Sequence, residues 1–294
     1  MAELVLQIVA ILAPAACLAL IGLGWSRAGA PFPIDFVTTL VVNVSLPALL
    51  FHTLATADVS LGALGTLALA TLCVHLVFTP LAIVLLRAAD KDWRLSVAHV
   101  VGNTGNLGLP ICLLAFGEEG LTYAMAFFAV QCVLLFTVGE AIYAGSANLA
   151  RALRSPILHA IWLGIAVRAI GIEPPLFAMR TAELLGQIVI PLMLITLGVS
   201  LAGMRASALP ATLLWSTLRT ALAAAIGFGV AALFGLEGVA RGVLVIETVV
   251  PVAVFNFLLA EKHGRDSGEV SGLILVTHIG AIGYLPLVLG VLIG

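Results

Sequence analysis

The sequence predicts an all-α integral membrane protein: ten transmembrane helices arranged as two inverted five-helix repeats, with the fourth and ninth helices interrupted. Three observations carry this. The 294 residues are 62% hydrophobic and 10% charged, with a mean hydropathy of +1.21. The apolar residues fall into ten runs separated by Gly, Pro and charge. Proline and polar positions in the first half recur in the second at an offset of about 144 residues.

Soluble domains carry about 25% charged residues, so the composition alone indicates a polytopic membrane protein. The formal net charge of −2 points to no nucleic-acid partner. Cys17, Cys73, Cys112 and Cys132 lie inside apolar runs without CxxC or metal-type spacing, as cysteines packing as small hydrophobes do. The first segment, MAELVLQIVAILAPAACLALIGLGW, has no basic start and exceeds the roughly 7–15 apolar residues of a signal-peptide core. It reads as a retained first span. No loop is long enough for a separate soluble domain, which excludes receptors and enzymes with an attached head.

A span needs about 20 mostly apolar residues. The runs cover 4–25, 34–55, 62–86, 95–116, 121–147, 156–172, 181–203, 212–234, 238–260 and 270–293. Residues 1–147 form the first repeat, 148–155 a short linker and 156–294 the second. Ten spans place both termini on one side. The opposite loops hold Arg27; Arg87, Lys91 and Arg94; Arg151 and Arg154; Arg205; and Lys262 and Arg265. The terminal side holds Arg168, Arg180 and Arg241, and the acidic GEEG at Gly117–Gly120. Basic loops stay cytoplasmic, so both termini are expected outside.

At the offset of about 144, VVNVSLPALL lies over LGQIVIPLML, setting Pro47 on Pro191 and Asn43 on Gln187. The same offset sets His75 on Arg219 and Asn103 on Glu247. An odd number of spans per repeat inverts the second half, the plan of secondary transporters whose sites lie where discontinuous helices meet. The interruptions are VGNTGNLGLP, with Gly102 and Pro110, and the region of Pro251. Proline lacks an N–H and clashes with the preceding turn. Backbone groups freed at that depth must be covered by protein or line a wet cavity. Gly105 belongs to the same break, and Asn103 and Asn106 add side-chain amides that a simple packing kink does not need.

Ionisable groups within the bilayer cost roughly 2.5–3.5 kcal/mol each and mark function by default. Glu247 is mid-span, four residues before Pro251; it can coordinate Na⁺ or carry H⁺, or pair with Arg219 for structure alone. Arg219 can attract an anionic substrate, pair with Glu247 or Glu140, or snorkel to the interface. Glu140 is a further candidate for ion coupling, and His75 either a proton relay or a hydrogen-bonded core histidine. Asn43 and Gln187 are candidate lining amides, with helix–helix hydrogen bonding the alternative.

NTGNLGLPI, VVPVAVFNFLLAEKHGRD and NVSLPALLF together resemble the auxin efflux carrier family over essentially the whole chain. The large cytoplasmic loop of many plant members is absent, so the chain resembles a compact bacterial member. The resemblance implies a fold like that of bile acid:sodium symporters. Helices 1, 2, 6 and 7 would form a scaffold, and helices 3–5 and 8–10 a transport domain. Helices 4 and 9 would cross at their breaks, and the domains would move as an elevator or a rocker. It implies small organic anions as substrates and, from the plant branch, a homodimer through the scaffold. Position by position it maps onto Asn103, Gly105, Asn106 and Pro110 in the fourth helix, and onto Glu247, as a Na⁺ ligand, and Pro251 in the ninth.

The expected function is a secondary carrier of a mono- or dicarboxylate across the bacterial inner membrane, by alternating access and in the efflux direction. It needs no cofactor beyond Na⁺ or H⁺ as coupling ion. An anion channel, a ligand-binding sensor and an intramembrane enzyme are the rival classes. The sequence carries neither HExxH nor a nucleophile–base motif, and one copy carries no ring of like charges.

Overall fold

A computed structural model describes residues 2–144, 155–204 and 209–294. The basic loop residues Arg151, Arg154 and Arg205, and most of the 148–155 linker, lie outside the described residues. The described chain is helical, with no strand beyond one isolated bridge pair. Among the described residues, seven helical stretches are long and apolar enough to cross a membrane. One of them, Thr104–Ala144, runs for 41 residues. Leu6, Leu20, Trp162, Phe177 and Ile282 are exposed on the outer faces, as side chains that meet lipid would be.

The first helix, α1, covers Ala2–Arg27. Next come α2 (Ile34–Leu40), a widened π turn at Val41–Ser45, and α3 (Leu46–Thr56). Then α4 covers Leu61–Ala88, its first turn capped by Ser60, whose hydroxyl accepts from the Ala63 N–H at 3.1 Å. The short α5 (Ser96–Val100) precedes a second π turn at Thr104–Gly108 and α6 (Leu109–Leu134). A third π turn, Leu135–Gly139, leads into α7 (Glu140–Ala144).

The second half holds α8 (Pro156–Ile170), α9 (Leu176–Gln187), α10 (Val189–Gly203) and α11 (Leu209–Leu233). It ends with α12 (Gly238–Val249), α13 (Phe255–Lys262) and α14 (Ser267–Ile293). GEEG, expected as a loop, is a sharp bend within α6. Gly117 alone leaves helical geometry, at φ 66°, a conformation open to a residue without a Cβ.

Proline accounts for the distortions near Asn43, Asn106 and Gln187, whereas the π turn at Leu135–Gly139 has no proline after it. A proline ring needs the carbonyl four residues earlier moved aside. For Pro47 and Pro110 those carbonyls belong to Asn43 and Asn106, and both sit in π turns. For Pro191 it belongs to Gln187, where α9 ends. Each proline thus frees a backbone carbonyl on a residue that also carries an amide side chain. Pro110, expected at the break, instead occupies the first turn of α6, past the break itself.

Packing follows two patterns. In one, α1 lies along α10 and α3 along α8 and α9. Here backbones touch: a Cβ on Gly22 would fall on the Ile195 carbonyl, and one on Gly198 on the Ala19 carbonyl. A Cβ on Gly164 would stand 3.1 Å from the Phe51 carbonyl. Phe51 is the counterpart of Ile195 at the offset of about 144.

In the other pattern, α4 packs on α5, α6 and α11, and α12 on α6, α11 and α14. Surface charges tie the ends of these helices together: Lys91 to Glu269 at 2.8 Å, Arg265 to Asp92 at 3.7 Å, and Lys262 to Glu140 at 3.0 Å. Glu140, expected to couple ions, is therefore engaged by a lysine at a helix end.

Candidate functional site

The chain leaves helical geometry at Val101–Asn103, between α5 and the π turn, and at Val250–Val254, between α12 and α13. The two breaks cross and hydrogen-bond as a two-residue antiparallel ladder. The Asn103 N–H donates to the Pro251 carbonyl at 2.6 Å, and the Ala253 N–H to the Val101 carbonyl at 3.1 Å. Gly102 and Val252 face each other across it. A Cβ on Gly102 would stand 2.9 Å from the Val250 side chain and 3.3 Å from its carbonyl, so glycine permits the approach. Pro251 has no N–H to leave unpaired there.

Gly102 opposite Val252 sets an offset of about 150 at the crossing, six residues beyond that of the flanking spans.

Side chains from other helices satisfy the crossing. Gln131 of α6 donates to the Gly102 carbonyl at 3.0 Å and the Thr104 hydroxyl at 2.6 Å. Asn256 donates to the Val101 carbonyl at 3.0 Å, and Thr277 of α14 accepts from the Val252 N–H at 3.2 Å. The Asn103 amide donates to His278 Nε2 at 3.1 Å, and His278 Nδ1 meets the Ile274 carbonyl at 2.7 Å. This fixes a tautomer with the proton on Nδ1. Gln131, Asn256, Thr277 and His278 were not singled out from the sequence. Each is a polar residue within a mostly apolar run, and that was their signal. Gln131→Leu would leave two buried acceptors short, at about 1–3 kcal/mol each. Thermal unfolding is expected to show the loss.

Arg219 of α11 is 1% exposed. Its Nε donates to the His99 carbonyl at 3.0 Å, and its Nη1 to the carbonyls of Val249 and Val250 at 3.2 and 2.6 Å. Those carbonyls end α5 and α12, where the helix dipoles are negative. The Tyr284 hydroxyl also donates to the Val249 carbonyl, at 3.0 Å. Arg219 thus pairs with neither Glu247 nor Glu140, does not snorkel, and spends its hydrogen bonds on backbone. It binds the two half-helices together rather than presenting itself to an anion.

Glu247 of α12 is also 1% exposed. One carboxylate oxygen receives the Cys112 thiol at 3.7 Å, and the other has no hydrogen-bond partner among the described residues. The group lies on the bare Cα of Gly108, where a Cβ would overlap it. Cys112, read as a small hydrophobe, is thus its closest polar neighbour.

The helical stretch that continues into α6 begins at Thr104, and its first N–H groups have no acceptors within the helix. Asn106 is half-buried and makes no side-chain hydrogen bond among the described residues. Gly105 is flanked by Met193 of α10 and Phe128, each 3.1 Å from where its Cβ would stand. This turn therefore faces the first packing group.

A cavity of about 950 Å³ opens between α3, α9 and α10 on one side and α6 on the other. Gln187 and Pro191 line it, and its charged walls are Asp58, Glu118, Glu119 and Glu183. Asn103, Asn106 and Glu247 are not among its walls. Asn43 is exposed outside it, its amide on the Thr39 carbonyl at 2.9 Å. His75 is buried, its Nδ1 2.9 Å from the Thr71 carbonyl and its ring against Phe127. It lines a separate apolar cavity of about 250 Å³ with Val100 and Val101.

The family described as membrane transport protein matches residues 8–148 and again 145–289. An "Uncharacterized transporter" of Methanothermobacter thermautotrophicus is 30% identical over 262 residues, covering 84% of this chain and 85% of the relative. A transporter of Methanocaldococcus jannaschii is 28% identical over 204 residues, 64% of each chain. A Rhizobium meliloti protein named "Putative malonate transporter" is 27% identical over 190 residues, 58% of each. With a family match over both halves and a crossing of two broken helices at its centre, the chain belongs to the membrane transport protein family, that of the auxin efflux carriers.

Proposed function

We propose that this membrane transporter is a secondary carrier of a small organic anion, a mono- or dicarboxylate, working by alternating access in the bacterial inner membrane. The observation that carries the reading is the crossing, with the amide-bearing first turn Thr104–Asn106 turned toward Met193. An anion there would meet free helix N-terminal N–H groups and the positive end of a helix dipole. Asn106 would donate from its unengaged amide, and Asn103 would exchange His278 for substrate. A relative named for malonate supports the dicarboxylate class.

The fold reading is ten spans in two inverted halves. Thr104–Ala144 would supply the outer part of the fourth and all of the fifth, turned at Gly117, while α12 and α13 make the ninth and α8 a short sixth. The matched contacts of Gly22 with Ile195 and Gly164 with Phe51 support it, as does the ladder that maps onto itself. The group α1–α3 and α8–α10 would be the scaffold, with a homodimer through it. The group α4–α7 and α11–α14, tied by its surface ion pairs, would move as one body. Both termini would lie outside.

Glu247 would couple transport to protons. Na⁺ takes several oxygen ligands, and Glu247 has a thiol and a glycine Cα around it instead. A neutral carboxyl would satisfy its partnerless oxygen better than a bare charge would.

The test is uptake of labelled malonate, malate and indole-3-acetate into proteoliposomes. Saturable uptake is expected for at least one, lowered about tenfold or more by Asn103→Ala, the equivalent of one charge-assisted hydrogen bond. Uptake of none by wild type, or of all equally by Asn103→Ala, would count against it.

A further inference from the structure

In transporters with discontinuous helices, unwound carbonyls and half-helix C-terminal ends commonly coordinate the coupling cation. Here α5 and α12 end at the crossing with their carbonyls converging. The acceptors of His99, Val249 and Val250 are already taken, at 3.0, 3.2 and 2.6 Å, by one guanidinium. Arg219 is 1% exposed, and no carboxylate lies among its hydrogen-bond partners. Its positive charge is therefore balanced by the negative ends of two half-helices, as a bound cation's would be.

We infer that Arg219 is a built-in cation: it occupies the place at the crossing that a sodium ion would otherwise fill, and it makes transport independent of sodium. A guanidinium tethered to α11 cannot dissociate with the transport cycle, so no gradient can act through it. The five N–H donors of guanidinium reach several carbonyls in a fixed plane, which a dehydrated ion does only with a closed shell of ligands. Nη2, the one guanidinium nitrogen without a partner, stands 3.4 Å from where a Cβ on Gly102 would be. Charge and glycine thus fit each other, and a larger residue at 102 would crowd both.

The inference rests on the carrier reading for its transport arm but has a second readout that does not. In proteoliposomes, replacing all Na⁺ by choline is expected to leave wild-type flux unchanged within twofold. Saturable stimulation by Na⁺ would overturn the inference. In detergent, wild-type thermal stability is expected to be the same in NaCl and choline chloride. Arg219→Ala is expected to have a lower midpoint that millimolar guanidinium raises, because the vacated carbonyls are again free for a cation. An Arg219→Ala protein as stable as wild type, and indifferent to guanidinium, would overturn it. Should Arg219→Ala not fold, Arg219→Lys, which keeps the charge, is expected to fold and Arg219→Met not to; equal yields of both would also overturn it. If no anion is carried by wild type, the carrier reading fails while the stability arm still decides the role of Arg219.

Discussion

Gly198→Val is expected to lower the thermal midpoint of the purified protein by on the order of 10 °C. The Cβ would land on the Ala19 carbonyl, with the Leu23 amide also close, at 2.8 Å. Overpacking that side chains can absorb costs about 1–3 kcal/mol. Here backbone meets backbone, so α1 and α10 must separate along their shared length, and the cost is about 3 kcal/mol or more. Gly22→Val should act alike through the Ile195 carbonyl. Gly24→Val is the control, since nothing stands within 4 Å of its Cβ position. Equal midpoints for Gly24→Val and Gly198→Val would refute close backbone packing as the bond between these helices. Chains that lie this close in lipid gain dispersion contacts that apolar solvent cannot otherwise supply.

The second large effect is expected at Gly108. An alanine methyl would occupy the volume of the Glu247 carboxylate, which has no room to retreat in a site that is 1% exposed. If Glu247 couples transport to protons as proposed, Gly108→Ala should abolish the response to a pH gradient while leaving a folded protein. Glu247→Ala should do the same by removing the group. In the double variant the two changes share one volume, so the stability losses should not add. A coupling of about 0.5–3 kcal/mol is expected from a thermodynamic cycle. Strict additivity would mean that the two residues do not touch.

Much of the fold was legible in the sequence because its signals are local. Pro47, Pro110, Pro191 and Pro251 each distort the turn before them, and the residue four positions earlier is Asn43, Asn106, Gln187 or Glu247. The glycine at 102 announces close backbone approach in the same local way. The pairing of Gly102 with Val252 was not legible, because they lie 150 residues apart and not at the offset of about 144 that aligns the prolines. Nor could the sequence assign partners. Gln131 reaches Gly102, and His278 reaches Asn103 from far along the chain; only packing brings them together. Arg219 illustrates the limit: a buried cation suggested a charged partner, while backbone carbonyls at two helix ends provide the compensation.

The cavity beside α6 gives the two halves of the molecule different work. Its charged walls are four carboxylates, with no lysine or arginine among its lining residues. Fields of that sign repel an anion over about 8 Å at physiological ionic strength. An anion released into this chamber is pushed toward the open mouth, and one approaching from bulk must climb against the same field. For the anionic cargo proposed here the antechamber would speed release and slow entry on its own side, an effect set by carboxylates that lie away from the crossing.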